Sequence, residues 1–288
     1  MISLGLTIFG MLFVVYWGLG LILYFMQPSF VYCPVREIPY TPAELGLEFE
    51  EVFFKTGDRV HLHGWYIPAP ADSAQGREFT VLFCHPNGGN MMYQLDSINI
   101  LYNLGLSCFI FDYRGYGNSH GKPSEHGTYL DARAAYRWLT KKKKVPAENI
   151  IIFGRSLGGS IAAYLASKAK ARGLVIESTF TSYVDLVSKF YPYMPVRWFA
   201  RFKYPTIDYV RKVTCPLLVV HSRNDEIVPF EFGLELYEAA NEPKEFVELY
   251  GGHNDAFLIS GDAYKKGWIK WLESLKGRST NGNRMTGA

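Results

Sequence analysis

Residues 150–153 (IIIF) end at Gly154-Arg155-Ser156-Leu157-Gly158-Gly159 and pass straight into an alanine-rich segment. A short apolar run, a serine flanked by glycines and a helix-forming stretch predict a strand that turns sharply into a helix. The spacing has a steric cause. A serine at the tip of so tight a turn crowds the residues two before and two after it, and glycine at 154 and 158 removes those side chains. Ser156 Oγ then projects clear of the backbone, at a helix N-terminus whose free amides favour developing negative charge. Isolated matches to this pattern arise by chance. Its weight therefore depends on whether the chain also supplies a base and an orienting carboxylate.

Both are present. The strand-like run at 217–221 leads into SRNDEIVP at 222–229, and that at 245–250 leads into GGHND at 251–255. Asp225 and His253 thus follow strands, in the order serine, acid, histidine that this architecture uses. His253 is expected to take the Ser156 proton and return it to the leaving group. Asp225 is expected to hold the imidazole tautomer. Glu226 and Asp255 are the rival carboxylates; Asp255, two residues from His253, reads as a loop brace. The oxyanion needs two convergent amides. Leu157 supplies one, and the loop HPNGGN at 85–90, after the apolar run 79–84, supplies the other. Pro86 has no amide hydrogen, so Asn87 is the first backbone donor. His85 reads as a residue bracing that loop.

Around these sites the chain alternates between short apolar runs and helical stretches. Strand-like runs at 49–54 and 60–67 flank a Thr56-Gly57-Asp58 turn, and further runs follow at 79–84, 107–112, 150–153, 174–177, 217–221 and 245–250. Helices are expected at about 125–140, 156–168, 230–240 and 264–275. This pattern predicts an α/β fold with a mostly parallel sheet covered on both faces, and chemistry on loops at the carboxyl ends of strands. Between the runs at 174–177 and 217–221, residues 190–204 hold seven aromatics among 15 residues, with Arg197, Arg201 and Lys203. That segment is read as an irregular cap at about 180–208, either roofing an apolar acyl pocket, touching lipid, or packing the cap onto the domain. The core domain is placed at 48–276, with a tail at 277–288 that has little to pack.

Residues 2–26 carry no charge. As a helix they reach about 37 Å, more than the ~30 Å hydrocarbon core. A transmembrane anchor over residues 1–27 is expected, followed by a proline-rich connector at 28–47. A cleaved signal peptide fits less well, because the basic n-region and a small-x-small cleavage site are missing. A buried core helix is the remaining alternative. Lysine and arginine near the span are too few to orient it, so the side facing the catalytic domain stays open.

Composition removes other classes. With 48% hydrophobic and 20% charged residues, the chain is neither disordered nor a polytopic membrane protein. A net charge of +3 is too mild to imply a nucleic-acid partner. The four cysteines form no CxxC pair, and His61 and His63 alternate on a strand without partner ligands, so no metal site is expected. The glycine-rich loop at 112–121 lacks both GxGxxG and a P-loop ending, and reads as a structural loop that Arg114 braces. Lys141–Lys144 reads as a solvated helix end. No metal, nucleotide or organic cofactor is called for.

Five separated blocks, FDYRGYGNSHGKPSEHG at 111–127, GRSLGG at 154–159, ESTFTSY at 177–183, HSRNDEIVP at 221–229 and GGHND at 251–255, together resemble the membrane-anchored Bem46-like branch of the α/β-hydrolase superfamily. The resemblance covers residues 45–275. It implies the α/β-hydrolase fold, Ser156 as nucleophile, Asp225 as acid, His253 as base, and amides near Asn87 and Leu157 as the oxyanion hole. Relatives commonly carry His-Gly-Asn where this chain has His85-Pro86-Asn87. Some remove long acyl chains from proteins, which implies acyl transfer to water without choosing a substrate. The expected function is a serine esterase or acyl thioesterase acting on a lipid or acylated-protein substrate. An amidase or peptidase with the same triad, or a silent scaffold for binding or membrane organisation, are the alternatives.

Overall fold

The computed structural model describes residues 2–71, 73 and 79–276; the tail at 277–288 lies outside the described residues. The chain opens with α1 (Ile2–Val31), 30 residues long. Its apolar window has mean hydropathy 2.2 and is not buried by the rest of the chain. The helix runs five residues past Met26 and takes in Pro28. Proline has no N–H to donate to the carbonyl four residues earlier, which here is Tyr24. The Arg201 guanidinium donates to that carbonyl at 3.4 Å in its place.

Two strands lie apart from the main sheet. β1 (Cys33–Pro34) pairs in parallel with β5 (Gly88–Gly89). The others are β2 (Glu50–Lys55), β3 (His61–Ile67), β4 (Thr80–Cys84), β6 (Ser107–Phe111), β7 (Ile150–Arg155), β8 (Gly173–Glu177), β9 (Leu217–Ser222) and β10 (Lys244–Leu249). They form one eight-stranded sheet in the order β10-β9-β8-β7-β4-β6-β3-β2. β2 and β3 form an antiparallel hairpin, β3 runs antiparallel to β6, and the other pairs are parallel.

The central strands are buried along their whole length, which explains their unbroken apolar runs. Successive side chains still alternate between the two faces. Leu82, Ile152, Ile176 and Val219 join the core beneath α3 (Glu125–Arg137), α4 (Leu157–Ala166) and α8 (Phe230–Ala239). Val81, Phe83, Ile151 and Phe153 join the opposite core with Ile98, Leu101, Trp268 and Trp271. The first two of those partners stand on α2 (Leu95–Asn103), the last two on α10 (Gly261–Lys276).

Helix α2 had no counterpart in the sequence reading. Its nine residues mix polar and apolar positions, and only packing on β6 defines its inner face. The cap also differs from an irregular segment. It contains α5 (Tyr183–Phe190), α6 (Val196–Phe199) and α7 (Thr206–Val210). Ser182 caps α5 by accepting the Asp185 amide at 2.9 Å, a local signal that precedes the helix in the sequence. The last helix of the chain is preceded by a single turn, α9 (Ala256–Ile259).

The glycine-rich loop after β6 is held by charge. Arg114 donates to both oxygens of buried Asp131 at 2.8–3.2 Å and to Asp58 at 2.8 and 3.1 Å. The bonds from Arg114 and Thr56 hold the Asp58 carboxyl down at about 2. Replacing Arg114 with methionine leaves the Asp131 carboxylate buried without its counter-charge, at a cost of about 3–5 kcal/mol. Chemical denaturation of detergent-solubilised protein is expected to show that loss, and an added Asp131→Asn is expected to restore most of it.

Candidate active site

β7 delivers Ser156 into the turn at φ 53° and ψ −122°, a left-handed conformation rare outside glycine. Neighbouring groups hold it there. The Ser156 amide donates to Glu177 O at 2.8 Å, and the Thr179 hydroxyl donates to Ser156 O. The two flanking glycines have no alternative. A Cβ at Gly154 would stand 2.1 Å from Gly158 O, and one at Gly158 would stand 2.0 Å from Cys84 O. That second contact seats the start of α4 directly on the end of β4, where the Asn87 loop begins.

Three loops at the carboxyl ends of β7, β9 and β10 bring Ser156, Asp225 and His253 together. His253 Nε2 lies 3.0 Å from Ser156 Oγ, and His253 Nδ1 lies 2.8 and 3.0 Å from the two Asp225 oxygens. All three residues are buried. An ionised carboxylate only accepts, so Nδ1 carries the hydrogen and Nε2 is free to accept from the serine hydroxyl. Asp225 also accepts the Ile227 and Val228 amides at 3.0 and 2.7 Å. Burial pushes its carboxyl up, but the His253 contact and these amides outweigh burial and hold it below its ordinary 3.8.

The rival carboxylates are engaged elsewhere. Glu226 accepts the backbone amide of His253 at 3.0 Å, and Asp255 accepts that of Gly252 at 2.7 Å. Both shape the histidine loop without bonding to the imidazole. A second histidine stands behind Asp225. His221 Nε2 donates to Val228 O at 2.9 Å and lies 3.5 Å from Asp225 Oδ2, and burial lowers its pKa.

Leu157 is the first residue of α4, and its amide has no acceptor among the described residues. The Asn87 amide is likewise unengaged. The carbonyl and side-chain nitrogen of Asn87 are both engaged. Its carbonyl accepts from Cys33 N and Tyr116 Oη, and its side chain donates to Val31 O. His85 braces the loop as a neutral ring. Its Nδ1 donates to Pro86 O at 2.7 Å, its ring packs 4.3 Å from that of Tyr113, and burial lowers its pKa to about 4.

Two groups of supporting residues escaped sequence reasoning. One is the connector after α1, which laces onto the Asn87 loop. Cys33 N donates to Asn87 O at 3.2 Å, Val35 N to Gly89 O at 2.9 Å, and buried Asn90 Nδ2 to Val35 O and Glu37 O at 3.1 and 2.8 Å. The other is Arg155, the variable residue before the serine. It donates to Glu177 at 2.7 Å and stacks 3.9 Å from the Phe257 ring, while Tyr264 donates to the other Glu177 oxygen at 2.8 Å. That network ties the serine turn to the segment following His253. The arginine had one legible signal, a charge at the end of an otherwise apolar strand.

A serine on a tight strand-to-helix turn, bonded to a histidine and aspartate from later strand ends, on a mostly parallel sheet, defines an α/β hydrolase. The alpha/beta hydrolase fold family matches residues 80–192. The chain is 34% identical over 283 residues to the alpha/beta hydrolase domain-containing protein WAV2 of Arabidopsis thaliana, covering 89% of this chain and 90% of that one. It is 33% identical over 237 residues to protein bem46 of Schizosaccharomyces pombe, covering 80% and 78%. Among solved structures, an esterase from Pyrococcus furiosus superposes with a TM-score of 0.71 at 23% identity, covering 85% of this chain and 98% of the esterase. The chain belongs to the Bem46-like branch of the α/β-hydrolase family.

Two outcomes follow from the packing and charge of this site. Gly158→Ala forces a methyl group against backbone carbonyls that cannot yield, at a cost of about 3 kcal/mol. For a chain of this size its melting temperature is expected to fall by about 5 °C. A carboxyl held below its ordinary pKa contributes stability above that value and loses it as pH falls. Asp225→Asn is therefore expected to be less stable than the parent at pH 7, with the gap closing below about pH 4 in denaturant titrations.

Proposed function

We propose that the protein is a membrane-tethered serine hydrolase that cleaves a carboxylic ester or thioester with an apolar acyl group. The observation that carries this reading is the continuous hydrogen-bonded chain from Ser156 through His253 to Asp225. Ser156 Oγ attacks the carbonyl carbon while its proton passes to His253 Nε2. Asp225 stabilises the imidazolium that forms. The Leu157 and Asn87 amides, the unengaged donors beside the serine, receive the negative oxygen of the tetrahedral adduct. Collapse breaks the acyl–oxygen or acyl–sulfur bond, and the alcohol or thiol leaves with the proton from Nε2. Water then attacks the acyl-enzyme, gives its proton to the same nitrogen, and the second collapse returns that proton to Ser156 and releases the acid.

The apolar length of α1 and the aromatic cap support the tether and the apolar acyl group. An amide substrate would use the same groups but requires fuller protonation of a poorer leaving group. A silent scaffold has no need of a buried, correctly ordered serine–histidine–aspartate chain.

Hydrolysis of p-nitrophenyl esters from acetyl to palmitoyl by detergent-solubilised protein tests the reading. Turnover is expected to vanish in Ser156→Ala and to be greatest for the longer chains. Asp225→Asn is expected to lower kcat by about 10⁴-fold through loss of the productive tautomer. Equal rates for parent and Ser156→Ala across the series, together with no labelling of Ser156 by a serine-directed phosphonate, would favour the scaffold.

A further inference from the structure

The cap does not stand clear of the apolar helix. Trp17 of α1 meets Phe199 edge to face at 5.4 Å, and Tyr32 meets Phe202 in the same way at 5.3 Å. Gln27 bonds the cap backbone twice, donating to Phe199 O and accepting from Arg201 N, both at 2.8 Å. The Arg201 guanidinium covers the Tyr24 ring and bonds the Tyr24 carbonyl. These contacts run from Trp17 of α1 to Tyr32 just past its end, about 22 Å of axial rise.

That length decides where the cap lies. A bilayer core takes about 20 helical residues. A span beginning at Leu4 ends near residue 23, which puts Trp17 about 9 Å inside the hydrocarbon boundary. Phe199 then shares its depth. The cap also presents its largest apolar groups outward beside the helix: Trp198 is 83% exposed and Tyr193 95%, with Phe190 and Met194 also exposed. An open groove of 340 Å³ lies between Tyr16 and Trp17 of α1 and Tyr193, Met194 and Trp198 of the cap. Aromatic side chains of this kind settle where one end is apolar and the other wet. Exposed Arg197 and Arg201 sit among them, as cations do at headgroup level.

We infer that residues 190–201 form a second membrane-contacting element. Phe190, Tyr193, Met194 and Trp198 enter, to interfacial depth, the same leaflet that the carboxyl half of α1 crosses. The occupant of this surface is the bilayer itself. The site then lies near that leaflet, because the Asn87 side chain donates to Val31 O at the very end of α1 at 3.1 Å. Resting on the hydrolase reading, this makes the substrate an acyl ester or thioester held in the membrane, with its acyl chain drawn up beside the cap.

The test is tryptophan quenching on the full chain reconstituted in phosphatidylcholine vesicles, comparing the parent with Trp198→Phe so that their difference reports Trp198. The expected result is quenching of that difference signal by lipids brominated near the headgroup, and less than half as much by aqueous iodide. Quenching by iodide instead places Trp198 in water and overturns the inference. Shielding from both quenchers means that protein, such as a second copy of the chain, covers the patch, and overturns it equally. This readout does not depend on catalysis, so it stands or falls apart from the hydrolase reading. In the activity arm, Trp198→Glu is expected to lower hydrolysis of a vesicle-embedded long-chain ester at least tenfold while p-nitrophenyl acetate turnover stays within twofold. Equal losses on both substrates would overturn the assignment of a membrane-held substrate.

Discussion

The close approach of α4 to the end of β4 is the contact on which the site depends. Gly158 rests against the Cys84 and His85 carbonyls with no room for a side-chain carbon. Helix and strand meet there, so the start of α4, which carries Leu157, stands against the beginning of the Asn87 loop. The strained backbone at Ser156 is the local consequence, held by Glu177 and Thr179 from the neighbouring β8 end. A looser junction would move the serine away from the donors proposed for the oxyanion, and a misplacement of about 1 Å is enough to weaken such stabilisation strongly.

The apolar helix is not a detachable leash. It ends at Val31, whose carbonyl accepts from Asn87, and the next residues form a short strand on the same loop. Arg36 continues the lacing to the carbonyls of Gly117 and Ser119 at 3.1 and 2.6 Å. Pro86 has no amide hydrogen to offer, and the loop takes its bonds from the connector and from Tyr116 instead.

Two buried ion pairs add to the positioning. Arg114 meets Asp131 beside the glycine-rich loop, and Arg155 meets Glu177 beneath the serine turn. Such pairs contribute little net stability, because desolvation offsets most of their attraction. Their effect is geometric. Breaking either leaves a bare buried charge, so the loops they join have few alternative arrangements.

The sequence by itself determined the class of fold and the candidate chemistry. Short apolar runs alternating with helices specify a parallel sheet covered on both faces, and the glycines around Ser156 specify the turn, because both follow from sterics acting over a few residues. Asp225 and His253 stood out because each falls just after an apolar run, where strands of such a sheet end. Local patterning was silent where tertiary contacts decide. Helix α2 was missed because its face is set by what it packs against, while α5 of the cap carried a local signal in its capping Ser182. Asp255 was set aside by its closeness to His253, but Glu226 was separable from Asp225 only once the loops were folded and each carboxylate had met its partner. The lacing of the connector onto the Asn87 loop, and the docking of the cap along α1, join residues more than 50 and more than 170 positions apart. No spacing rule reaches so far, because such contacts exist only after the sheet has brought those segments side by side.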